Sequence, residues 1–131
     1  MDTNQKGDIA EAKVTAKLLE LGHTVSEPVN DHSRYDLISD DGELHRLQIK
    51  YASLDENGSI NVSISSSNPN TIESVESTYS SDEVDAFVIY CPDTENVYWV
   101  DYDNAPKHKM KLRLRAKIDN PNINWAEDYE I

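Results

Sequence analysis

Apolar positions along the chain change period several times, and each change marks an element. From about Gln5 to Leu21, the residues Ile9, Ala12, Ala16 and Leu19 recur at helical spacing. Val14, Leu18 and Leu21 join them on a neighbouring strip, so the stretch predicts an amphipathic helix. Gly22 suits the left-handed position that ends a helix, and Lys13 with Lys17 forms a solvated edge one turn apart. Glu11 breaks the pattern, because it shares a face with Val14 and Leu18. A carboxylate there costs free energy unless it sits at the rim, is paired or binds a metal.

After Gly22 the period becomes that of strands. Extended segments are predicted at Thr24 to Val29, Tyr35 to Ser39, Glu43 to Tyr51 and Ser59 to Ser65, the last with Ile60, Val62 and Ile64 alternating. Asp40-Asp41-Gly42 and Asn57-Gly58 are tight-turn signals, which makes an antiparallel meander the expected arrangement. With Gly42 in a left-handed bulge position, Ser39 pairs with Glu43 and Asp36 with Arg46. Asp36, Arg46, Gln48 and Lys50 then share one side of the sheet, while Leu47, Ile49 and Tyr51 pack on the other. A two-residue loop places Asp36 on the opposite face instead.

From Ser65 to Ser81 the periodicity is poor, and a long loop with a short helix around Ile72 to Glu76 is expected, either as a solvated linker or facing DNA. Val84 to Cys91 and Val97 to Asp101 read as a strand pair whose Phe87, Ile89, Val97 and Trp99 belong to the core. Tyr51 and Tyr79 read as core aromatics or as stacking partners for nucleotides. Near the end, Lys107, Lys109, Lys111, Arg113, Arg115 and Lys117 alternate with Met110, Leu112, Leu114 and Ile118. In extended form one face is basic and the other apolar, suiting a strand docked on the core with its outer face toward phosphates. The other reading is a charged edge strand protected from aggregation.

Composition changes this picture in two ways. The 131 residues suffice for one domain, residues 1–131, that buries roughly two-thirds of its unfolded surface. Lys and Arg number 12 against 25 Asp and Glu, an acidic balance for anything that approaches a phosphate backbone. Yet half of those basic residues lie in the single stretch from Lys107 to Lys117. The scattered acids, with one Phe and two Met, resemble proteins adapted to molar salt. At such salt the Debye length is ~3 Å, so net charge hardly repels DNA. Cys91 is the only cysteine, which excludes an internal disulfide and a thiolate metal cluster within one chain. With no run approaching the ~20 apolar residues of a membrane span and no signal-peptide core, a cytoplasmic protein starting near Met1 is expected. His23, His32, His45 and His108 lack metal-ligand spacing, and no Gly-rich phosphate loop occurs.

The remaining pattern is chemical. Gly7-Asp8-Ile9-Ala10-Glu11 on a helix, Arg34-Tyr35-Asp36-Leu37-Ile38 on a strand and Gln48-Ile49-Lys50-Tyr51 on the next resemble the core of the PD-(D/E)XK nuclease superfamily. The match covers about the first half of the chain. These segments look most like the group I intron-encoded homing endonuclease branch and, more distantly, archaeal Holliday-junction resolvases. The tail Ile123-Asn124-Trp125-Ala126-Glu127-Asp128-Tyr129 is similar to the end of the first branch. Two positions depart from the family pattern: Tyr35 stands where its eponymous proline would, and Gln48 where a second strand carboxylate would.

The resemblance implies an α/β, restriction-endonuclease-like core, with an N-terminal helix packed on a mixed, largely antiparallel β-sheet. It implies a DNA endonuclease that uses Mg²⁺, or Mn²⁺ in its place. Asp36 is the expected central metal ligand, with the Gln48 amide oxygen, the Ile49 carbonyl and Glu11 as candidates for further ligands. Lys50 is expected to orient water or stabilise developing negative charge, which makes Glu11, Asp36, Gln48 and Lys50 the candidate catalytic set. Lys109, Lys111, Arg113, Arg115 and Arg34 are the candidate DNA contacts. A homing-type enzyme cuts a long duplex sequence, a resolvase nicks branched junctions, and an inactive relative binds DNA without cutting. Because one small site cuts one strand, a homodimer or homotetramer is expected.

Overall fold

The computed structural model describes residues 1–67, 76–116 and 118–131. They form α1 (Thr3–Glu20), β1 (Thr24–Ser26), β2 (Leu37–Asp40), β3 (Leu44–Tyr51), β4 (Ser59–Ser63), β5 (Ser66–Ser67), β6 (Glu76–Ser77), β7 (Ala86–Cys91), β8 (Asn96–Asp101) and β9 (Lys109–Arg113). Short 3₁₀ turns cover Tyr102–Asn104 and Ala126–Asp128. Among these residues no helix is long and apolar enough to cross a membrane.

Asp2 starts α1 through a capping box: its carboxylate accepts the Gln5 N–H while the Gln5 side chain accepts the Asp2 N–H. At the other end the His23 and Gly22 N–H groups return to the carbonyls of Leu18 and Leu19, with Gly22 at φ 89°. The buried stripe is Ala10, Val14 and Leu18. The expected stripe of Ile9, Ala12, Ala16 and Leu19 is thus displaced: Leu19 and Leu21 are 57% and 49% exposed. The sheet beneath selects the narrow line of positions four apart, and the small Ala10 lets the helix lie close to it.

Five strands form the main sheet in the order β1-β2-β3-β7-β8, with β3 and β7 parallel and the other pairs antiparallel. All six residues of β7 are buried. Such a strand needs cover on both faces, which places it inside the sheet. On one face α1 packs over Leu37, Leu47, Ile49, Ala86 and Val88. On the other, Ile60, Val62, Met110 and Leu112 pack over Phe87, Ile89, Tyr98 and Val100.

That second layer corrects the meander. β4 does not follow β3 in the sheet; it pairs antiparallel with β9 in a separate ribbon, and β5 pairs with β6. β4 buries one edge of its alternation, so it suits an outer layer, whereas the uninterrupted apolar run of β7 takes the place beside β3. The β2–β3 register is also shifted by two: Ser39 faces His45 and Ile38 faces Arg46, leaving Asp36 just beyond the last pair, Leu37 and Leu47. Asp41-Gly42-Glu43 is the loop, held by the Asp40 and Asp41 carboxylates accepting the Gly42 and Glu43 N–H groups. A shift of two preserves the face of every side chain.

Trp99 is half-buried rather than enclosed; its indole N–H donates to Asp101 and its ring meets His45 edge-on. β1 ends at Ser26, and Val29 is exposed. The helix expected around Ile72 to Glu76 falls largely outside the described residues, and Glu76 itself opens β6.

Candidate active site

β2 has four residues and β3 has eight, so the second half of β3 runs on without β2 beside it. Asp36 occupies the gap. Its carboxylate accepts the Ile49 N–H at 2.9 Å and its own N–H donates to the Leu47 carbonyl at 2.7 Å. The Ala52 N–H bonds to the Tyr90 carbonyl on β7, so even positions of β3 point their backbone groups toward β7 and odd positions toward β2. The Ile49 carbonyl consequently faces the same opening as the Asp36 carboxylate.

Gln48 and Lys50 alternate with Leu47 and Ile49, whose side chains belong to the helix-side core. They therefore lie on the other face, beside Phe87 and Ile89, their partners across β3 and β7. Both are half-buried at the rim of the second core. Glu11, next to Ala10 on α1, is half-buried and within electrostatic reach of Asp36.

The charges perturb one another in a consistent way. Burial raises the Asp36 carboxyl above its ordinary range, against the opposing effects of the Ile49 N–H and the Lys50 charge. Burial also raises Glu11, helped by the negative charges of Asp36, Glu27 and Asp8. Lys50 is lowered by burial, with Asp36 opposing and Arg34 reinforcing the shift. Two acids with raised carboxyls, a main-chain carbonyl and an amide offer only oxygen donors, the type that suits a hard divalent cation. Among the described residues no three His, Cys, Asp or Glu side chains are grouped to hold a metal, so such a set depends on the neutral oxygens of Ile49 and Gln48.

Two arginines fix the surroundings. Arg46 grips the Asp85 carboxylate through Nε and Nη2, both at 3.0 Å, and donates to the carbonyls of Ser81 and Asp82. Arg34 pairs with Glu83 at 3.0 Å and donates to the Thr78 carbonyl at 3.0 Å. Its guanidinium carbon lies 4.1 Å from the Tyr79 ring centre, and the Lys50 ammonium lies 5.3 Å from the same centre. Arg34, expected as a DNA contact, is thus also tied into the wall of the site. Glu83 and Asp85 carry no pattern that marks them in the sequence, because their role comes from a contact across more than thirty-five residues.

The basic residues lie elsewhere in the fold. Lys109, Lys111 and Arg113 point outward from β9, opposite Ser63, Asn61 and Ser59, while Met110 and Leu112 are buried. Arg113, Lys111 and Arg115 border one depression together with Asn57, Asn120 and Ile123. The alternation stops earlier than expected: Leu114 and Ile118 are exposed, 42% and 75%, β9 ending at Arg113 and the Leu114 N–H donating to the Gly58 carbonyl at the turn into β4. Lys117 lies outside the described residues.

The structure is similar to that of a bacterial homing endonuclease, I-Ssp6803I, with a TM-score of 0.82 and 26% identity over 99% of this chain and 89% of that one. A comparison with curated proteins found no match. A model of the PD-(D/E)XK endonuclease family matches residues 1–131. The chain belongs to this family. PD-(D/E)XK endonucleases are metal-dependent, and their substrate here is DNA. Asp36, Lys50 and Glu11 lie where β2, β3 and α1 place them around one sheet edge, and the tail has a structural place of its own. Asn124 accepts the Arg113 N–H, Tyr129 accepts the Trp99 N–H, and Ile131 donates to Val97, so the tail stitches the ribbon to the edge of the main sheet.

Proposed function

We propose that this PD-(D/E)XK endonuclease is a Mg²⁺-dependent, homing-type enzyme that hydrolyses duplex DNA in one domain. The juxtaposition of Asp36, the Ile49 carbonyl and Lys50, with Glu11 within electrostatic reach of Asp36, carries this reading. Asp36, Glu11, the Ile49 carbonyl and the Gln48 amide oxygen would hold the ion. When bound, a divalent ion supplies positive charge to the phosphate and lowers the pKa of an attacking water. Lys50 orients that water or stabilises charge building on the phosphate. Its burial strengthens the interaction by excluding bulk water. Arg34 adds a second positive charge beside it.

The outer face of β9 supplies the backbone contacts. Lys109, Lys111, Arg113 and Arg115 concentrate positive charge on a chain whose formal net charge is −13. This face orients the acidic molecule on DNA. Duplex cleavage needs two such sites, which calls for a homodimer or homotetramer. The similarity to a bacterial homing endonuclease favours the homing reading over a junction resolvase.

Incubation with linear duplex pools and four-way junctions, with Mg²⁺ or chelator at high KCl, tests this. One duplex sequence is cut by wild type and spared by Asp36→Ala and Lys50→Ala. Junction nicking irrespective of sequence would point to a resolvase, and binding without cutting to an inactive relative.

A further inference from the structure

Tyr79 arrives at the site from a distant part of the chain, and its backbone is held on several sides. The Tyr102 hydroxyl donates to the Tyr79 carbonyl at 3.3 Å, and Arg34 holds the preceding Thr78 carbonyl at 3.0 Å. The following residue, Ser80, is capped by Glu83, the same residue that pairs with Arg34. The ring itself stands edge-on against Phe87 with centres 5.6 Å apart, and Phe87 is in turn stacked with Tyr102. One side chain thus meets both the core and two cations.

From this geometry we infer that Tyr79 is a positioning residue for Lys50, its ring holding the ammonium over the opening where Asp36 and the Ile49 carbonyl converge. The negative face of an aromatic ring attracts a cation within about 6 Å of its centre, and Lys50 is inside that range. The two cations depend on the ring unequally. Arg34 has anchors that do not involve it, the Glu83 carboxylate and the Thr78 carbonyl. Lys50 meets the ring and the charge of Asp36. A lysine has four flexible carbons, so an ammonium without a fixed partner samples many positions, and the ring narrows them.

Packing alone would also explain an aromatic ring against Phe87, so the test must change ring electrostatics at constant shape. The inference rests on the nuclease reading, and the experiment separates the two. Tyr79→Phe keeps the ring and is expected to cut DNA within about twofold of wild type. A ring-fluorinated phenylalanine at the same position keeps the shape but reverses the ring's quadrupole. It is expected to lower kcat about tenfold relative to Tyr79→Phe, with melting temperature and DNA affinity in chelator unchanged. Equal kcat for the two variants would overturn the role of Tyr79 while leaving the nuclease reading intact. Failure of wild type to cut any duplex or junction would instead remove the reading on which it rests. Tyr79→Leu should match the fluorinated variant in kcat; full activity in that variant would also overturn the inference.

Discussion

The carboxylate of Asp36 accepts the N–H of Ile49 at 2.9 Å, so one side chain both completes the β2–β3 edge and presents a half-buried negative charge at the opening. Structural and chemical demands on it conflict. Because burial raises its carboxyl above the ordinary 3.8, the folded protein holds the proton more tightly than the unfolded chain. Its stabilising effect is therefore complete at low pH and is lost as pH rises past 3.8 toward the raised value.

Asp36→Asn keeps an acceptor for Ile49 and removes the charge. It should melt at or above the wild-type temperature at pH 7, with the difference vanishing below about pH 3.8, while cleavage falls at least ~100-fold. Asp36→Ala loses the acceptor as well and should be about 1 kcal/mol less stable than Asp36→Asn. Thermal melts across pH, beside cleavage assays, check both. A stable and active Asp36→Asn would remove the charge from the mechanism.

Asp85 shows the opposite sign. Its hydrogen bonds from Arg46 hold its carboxyl below the ordinary 3.8, so they stabilise the fold above that value and the stabilisation is lost as pH falls through the lowered one. Asp85→Asn should cost about 1 kcal/mol at pH 7, a modest figure because the pair is partly exposed. In denaturant titrations the gap to wild type should narrow as pH falls below 3.8 through the lowered value, and a constant gap would show that the pair is not its source.

In the proposed oxygen set Gln48 is the neutral side chain. Gln48→Glu adds a charge beside Asp36 and should lower the Mg²⁺ concentration for half-maximal cleavage about tenfold at neutral pH. The same variant should be less stable without metal, since three acids then share one opening. Calorimetric Mg²⁺ titration reads the change directly; no tightening would place the ion away from Gln48.

Replacing Lys111, Arg113 and Arg115 by Gln tests the basic face. Each lost phosphate contact should reduce the slope of log affinity against log salt by about 0.9. Single-turnover cleavage at saturating protein should stay near wild type. An unchanged slope would leave β9 as a charged edge strand without a DNA role.

Part of the geometry around the proposed site is legible in the chain. Side chains alternate along a strand whatever its partner, so Gln48 and Lys50 share a face opposite Leu47 and Ile49 even with the register shifted by two, whereas Asp36 lies beyond the last pair and turns its carboxylate to the Ile49 N–H at the strand edge. Glu11 stood out because an acid in an apolar stripe needs a reason, and Gly22 ended the helix as its conformational freedom predicts. The buried line on α1 was misread because several apolar positions fit helical spacing and only the sheet beneath selects among them.

What local patterns determine by themselves is each element's period, its stops and the face each residue takes, because these follow from backbone geometry within a few residues. Tertiary structure decided the rest: β7 beside β3, β4 paired with β9, Arg46 closed on Asp85, and Tyr79 brought to Lys50. Those choices depend on burying whole faces and pairing charges between distant segments, and no short stretch of sequence carries that information.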